Sequence, residues 1–135
     1  MIVSRILPGE DLKNGIENLI DFNCLKSGII LCIVGSINAI LRMPNGDKKV
    51  FNGLFEIVSA EGTVSRDGIH VHVAIADKDG AVYGGHLLEG CIVHTTAEIG
   101  IIKSKIIFKR FMIRKLVIMN LLFEIIIVKL FNNIY

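Results

Sequence analysis

The chain has 135 residues, 52% of them apolar and 21% charged, a length that holds one sizeable core but not two. Its formal charge of +2 hides an asymmetry: residues 1–102 carry eight Lys/Arg against twelve Asp/Glu, while residues 103–135 carry seven against Glu124 alone. An acidic body without an Arg-Gly-Arg-Pro arm offers no cationic stripe to neutralise phosphates, which argues against a DNA-binding surface.

Cys24, Cys32 and Cys91 are odd in number and form no C-x-x-C pair, so neither a disulfide framework nor a cysteine metal site is expected. A reducing cytoplasm is the natural setting. The opening Met-Ile-Val-Ser-Arg-Ile-Leu-Pro lacks the continuous apolar core of a secretory leader.

In chain order, the first predicted element is an amphipathic helix over residues 10–23. Leu12, Ile16, Leu19 and Ile20 form its apolar stripe, and Glu10, Asp11, Lys13, Asn14, Glu17, Asn18 and Asp21 its polar face. Ile29 to Val34 reads as a short buried strand, broken or bent at Gly35-Ser36. Ile37 to Met43 and Lys48 to Gly53 flank the turn Pro44-Asn45-Gly46-Asp47 and predict a hairpin. Phe55 to Ala60, Ile69 to Ala76, Val82 to Leu87 and Ile92 to Ile102 complete the strands, with Gly62-Thr63 as a further turn. The expected class is α+β: a largely antiparallel sheet with one main helix near the N-terminus.

Chemistry concentrates in Gly68-Ile-His-Val-His-Val-Ala-Ile-Ala-Asp77 and Gly84-Gly85-His86-Leu87. His70 and His72, two apart on a strand, point the same way. Lys78-Asp79-Gly80 then reverses the chain. In that hairpin, paired residue numbers sum to roughly 157 or 158, setting His86 opposite Val71 or His72. Three convergent imidazoles fit a metal site with an open position, for zinc or another divalent transition metal such as iron, nickel or copper. Gly84 and Gly85 leave room for a bulge or a close ligand. His94, on a later strand, reads as structural. Asp77, Glu89 and Glu98 lie near the motif in sequence and read as surface or hydrogen-bonded groups. Glu56 and Glu98 are candidates for acid–base work by chemistry alone.

Taken together and in order, Gly53-Leu-Phe-Glu-Ile-Val-Ser59, Gly62-Thr63, the His-x-His strand, Gly84-Gly85-His86-Leu87, Glu89-Gly90-Cys91 and Thr95-Thr96-Ala97-Glu98-Ile99 resemble the plants and prokaryotes conserved (PPC) domain. The resemblance covers residues 1 to about 110. It implies a homotrimer, His70, His72 and His86 as metal ligands, and kinship to a superfamily that includes a three-histidine zinc decarboxylase. In plant members the domain is joined to an AT-hook that grips DNA. That hook is absent from this sequence, so the DNA-binding label attached to prokaryotic members carries less weight.

After Arg110 the chain departs from the family, whose members usually end on a polar strand resembling Tyr-Asp-x-Glu-Thr-Gly-x-x-Glu-Leu-Val. Codons exist for Phe111 to Glu124 that, read from the third base, spell Tyr-Asp-Lys-Glu-Thr-Gly-Tyr-Asn-Glu-Leu-Val-Val-stop. Met112 and Met119 have one codon each and still yield the Asp and the second Glu. Residues 111–135 are therefore expected to be an aberrant tail produced by a one-base shift near Lys109 or Arg110. The competing readings are a membrane span and a basic surface helix. Leu116 to Val128, interrupted by Asn120 and Glu124, falls short of the roughly 20 apolar residues needed for a span.

Function is expected to be that of a trimeric module binding a metal ion and a small ligand, with a regulatory role. Two alternatives stand beside it: a DNA-binding protein, and a metal-dependent lyase or hydrolase. No membrane partner is expected.

Overall fold

Alternation of buried and exposed side chains, the period-two mark of a half-buried strand, organises most of the chain. In the 68–76 segment it buries Val71, Val73 and Ile75 and turns His70 and His72 outward. The structure, a computed structural model, describes residues 1–113 and 118–123, with side chains over 1–110. In order the elements are β1 (Ile2–Ile6), α1 (Leu12–Phe22), β2 (Ser27–Arg42), β3 (Lys48–Ser65), β4 (Gly68–Ala76), β5 (Val82–Leu87), β6 (Val93–Lys103), β7 (Phe108–Ile113) and β8 (Ile118–Phe123).

Six strands form one antiparallel sheet in the order β1-β6-β2-β3-β4-β5, and β7 pairs with β8 separately. β5 also returns to β2 through Leu41↔Leu87 and Arg42↔His86. Strands β2, β3, β4 and β5 therefore close on themselves at one corner, through the last two residues of β5. Ile37, Leu41, Ile75 and Leu87 are fully buried within the core. Gly85 eases the closure: a Cβ there would lie 3.0 Å from Arg42 O and Leu41 Cβ and 2.7 Å from the end of the Met43 side chain.

The helix packs into the same core. Asp11 caps it, its Oδ1 accepting from Asn14 N at 2.9 Å while Oδ2 accepts from Gly90 N at 2.6 Å. Leu12, Ile16 and Ile20 are buried at four-residue spacing, each worth roughly 1.5–3 kcal/mol of burial.

Several expectations are corrected. The α+β class with a main helix gives way to a predominantly antiparallel β protein carrying a single 11-residue helix. The cause lies in the strands: runs that read as separate are continuous, giving β2 16 residues and β3 18. Gly35 does not end a strand. It lies at a register shift where the Thr96 carbonyl oxygen occupies the place of a Cβ, so only glycine lets β2 and β6 approach. Gly62-Thr63 likewise lies inside β3 rather than at a turn, and β1 was not expected as a strand. In the tail, the described residues 118–123 pair as a strand with 108–113, against the surface-helix reading. The rest of the expected aberrant tail, 114–117 and 124–135, lies outside the described residues.

Candidate metal centre

The β4–β5 hairpin brings the histidines together. Its turn is fixed by Asp77, whose Oδ1 accepts from Asp79 N at 3.0 Å and Ala81 N at 2.9 Å, and whose Oδ2 accepts from Tyr83 OH at 3.3 Å. Those bonds hold the Asp77 carboxyl below its ordinary range against the opposing effect of desolvation. With the turn set, the register is His72↔His86, the second of the two pairings allowed by the sequence. His70 follows two residues away on the same face.

The three rings offer one nitrogen each, all within 4.8 Å of one another. His70 Nε2 and His72 Nε2 are 3.2 Å apart. A tetrahedral ion with metal–nitrogen bonds of about 2.0–2.1 Å needs its ligand nitrogens about 3.3–3.4 Å apart, so this pair is at a chelating distance. His86 Nδ1 is buried and has no hydrogen-bond partner among the described residues. A ring nitrogen in that position lacks what a metal ion or a second polar group would supply. The donor set therefore fits a borderline metal such as zinc.

Electrostatics point the same way. Burial, then the charges of Arg42, His70, His72 and Arg110, pushes the His86 imidazole down to about 4. Burial followed by His72, Arg110 and Arg42 lowers His70 as well. Neutral imidazole is the ligating form, so both rings keep their lone pairs at neutral pH.

Around the histidines lies a row of side chains drawn from four strands. Arg42 of β2 opposes His86 of β5, His86 opposes His72 of β4, and His72 opposes Glu61 of β3. One step along, Thr63 opposes His70. Arg110 of β7 donates to Thr63 Oγ1 at 2.9 Å, Thr63 O at 3.2 Å and Gly68 O at 3.4 Å. A cavity of about 500 Å³ opens on the Arg42 side, walled by Met43, Pro44, Gly84, Gly85 and the rings of His72 and His86. A second, of about 350 Å³, opens between Glu61, Thr63, His70 and His72.

The remaining sequence candidates fall elsewhere. Glu98 is ion-paired to Arg5 at 2.9 Å on β6, Glu56 stands between Ser36 and Ala76, and Glu89 is exposed before Gly90. Asp77 serves the turn, and His94 is exposed on β6 outside the cluster. Sequence reading missed Glu61, Arg42 and Arg110. Glu61 had a signal: with Arg66-Asp67 as the turn, residues 61 and 72 pair by simple counting. Arg42 and Arg110 had none, because each reaches the site through a non-local contact.

Comparison with known proteins supplies the family. A model of the Plants and Prokaryotes Conserved (PCC) domain matches residues 1–105. Two curated relatives named Bifunctional protein GlmU, from Synechococcus sp. strains JA-3-3Ab and JA-2-3B'a(2-13), are 40% and 42% identical over 97 and 98 residues. Each match takes in 70% of this chain but only 16% and 15% of the relatives, so the chain spans a small part of their length. Among solved structures, a hypothetical protein from Salmonella cholerae-suis superposes with a TM-score of 0.84 at 29% identity, covering 90% of this chain and 91% of its own. A candidate DNA-binding protein from Bacteroides thetaiotaomicron gives 0.81 at 22%, with 90% and 91% covered. A metal-containing protein from Archaeoglobus fulgidus gives 0.72 at 24%, again with 90% and 91% covered. The sheet, the ordered motifs along it and these matches agree: the chain belongs to the Plants and Prokaryotes Conserved domain family.

Proposed function

We propose that this chain is a metal-binding module of its family, in which His70, His72 and His86 hold zinc or another divalent transition metal beside a small-ligand cavity. The observation that carries the reading is the convergence of a ring nitrogen from each of His70, His72 and His86. A metal held by three protein ligands keeps an open position and supplies Lewis-acid polarisation or water activation. The chain's own part is to keep His70 and His86 neutral, to set their spacing through the hairpin register, and to line the approach with Arg42 and Glu61.

The module is proposed to assemble as a homotrimer in a reducing cytoplasm. The exposed apolar residues Val3, Ile29, Val34 and Ile102 on the outer face of β1, β2 and β6 support self-association, and the free thiols of Cys24, Cys32 and Cys91 support the compartment. No described helix is long and apolar enough to cross a membrane.

A metal-dependent lyase or hydrolase is the second reading, favoured by Glu61, the carboxylate directly across from His72. DNA binding, the label of the Bacteroides neighbour, has less behind it, because the described body is acidic. Elemental mass spectrometry of untagged protein tests the proposal. Stoichiometric metal in the wild type, lost in His70→Ala/His72→Ala, is the expected result. Well-folded wild type without metal would return the histidines to a structural role.

A further inference from the structure

Among the described residues Arg42 has no partner of its own. Its guanidinium makes no hydrogen bond and no ion pair with any described residue. Arg110, by contrast, is committed to the oxygens of Thr63 and Gly68. The side chain of Arg42 opens on the cavity of about 500 Å³, none of whose lining residues is acidic. Glu61 lies beyond His72, lining the second cavity and a smaller one that borders this recess at His72, Gly84 and Gly85. A cation thus stands unmatched over a recess that it shares with two histidines.

Such an arrangement has a chemical complement. A guanidinium presents a planar fork of donors that matches an oxyanion, and a neighbouring metal position adds to the attraction. The volume lies within the range of small-molecule sites. Met43 and Pro44 give the recess an apolar wall for the carbon part of a ligand. We infer that this cavity receives the oxyanion of a small organic molecule, a carboxylate or a phospho group, held by Arg42 beside the three histidines. The inference deepens the metal-centre proposal and rests on it.

The test uses the full chain loaded with cobalt(II), as wild type, Arg42→Gln and Arg42→Lys. Each is titrated with acetate and with methylphosphonate at constant ionic strength, followed by the visible cobalt spectrum. The expected result is a saturable spectral change, roughly tenfold or more weaker in Arg42→Gln and partly restored in Arg42→Lys. Cobalt content and thermal unfolding should be unchanged among the three. The probe bound more tightly identifies the source of the oxyanion. Equal binding by Arg42→Gln and wild type, or no response from the loaded wild type, overturns the inference. Failure to take up cobalt would instead defeat the metal-centre reading. Saturation-transfer NMR of the same two probes on the metal-free chain then decides: Arg42-dependent transfer sustains the oxyanion site, and its absence overturns it.

Discussion

His86 lies at the seam between β5 and β2, where burial strips the hydration that a protonated ring needs and Arg42 adds repulsion. Its pKa of about 4 lies below the 6.5 of a free imidazole. Between those values the unfolded chain binds more protons than the folded one, so folding stability rises with pH across that window and is lost as pH falls through it. His70 shifts in the same direction. Metal-free protein is therefore expected to lose about 2 kcal/mol between pH 7 and pH 4.5, after discounting for solvent screening. His86→Asn should flatten that dependence. Urea denaturation at the two pH values checks it, and an equal loss in variant and wild type would contradict the assignment. The convergence of the histidines was legible because hairpin counting is local. Arg42 was not, since its place beside His86 depends on β2 meeting β5 across more than forty residues of chain.

At the scale of elements, the closure of β5 onto β2 is eased by the absence of a side chain at Gly85. Gly85→Ala would push a methyl group against Met43 Cε, Arg42 O and Leu41 Cβ. The expected cost is about 1–3 kcal/mol, typical of overpacking, with weakened metal uptake because His86, next along β5, is displaced from His72. Thermal unfolding and metal content together check this; an unchanged melting temperature would show that the seam is looser than described. Here lies the reason the fold was only partly readable. The antiparallel strands follow from alternating apolar residues and from turns such as Pro44 to Asp47, but Gly53 and Gly62 read as strand ends, and Gly35 as either a break or a bend. In β2 and β3 glycine instead permits long bent strands, which local sequence does not distinguish from several short ones.

For the whole molecule, the outer face of β1, β6 and β2 sets the prediction. Ile29 is 47% exposed and pairs with Ile102, itself 44% exposed, and Ile29 also opposes Thr63, the neighbour of His70. The proposed subunit contact and the proposed metal centre thus adjoin. Ile29→Glu is expected to shift light-scattering mass from trimer toward monomer while leaving metal stoichiometry intact; an unchanged mass would place the contact elsewhere. The proposed reading shift near Lys109 or Arg110 makes a separate prediction. Resequencing the locus should reveal a one-base slip that restores a polar ending, whereas intact-protein mass spectra containing the 111–135 peptides over an unslipped gene would count against it.

The His72–His86 pair stands at the open end of the β4–β5 hairpin, away from its turn, and β5 joins β2 through that same end. An ion shared by His70, His72 and His86 would act there as a clasp against fraying. Occupancy at a hundredfold excess over Kd is worth about 2.7 kcal/mol to the folded chain, so amide protons along β5 should exchange with solvent more slowly in the loaded protein. By the same linkage, the proposed site would tie the population of the closed seam to cation concentration.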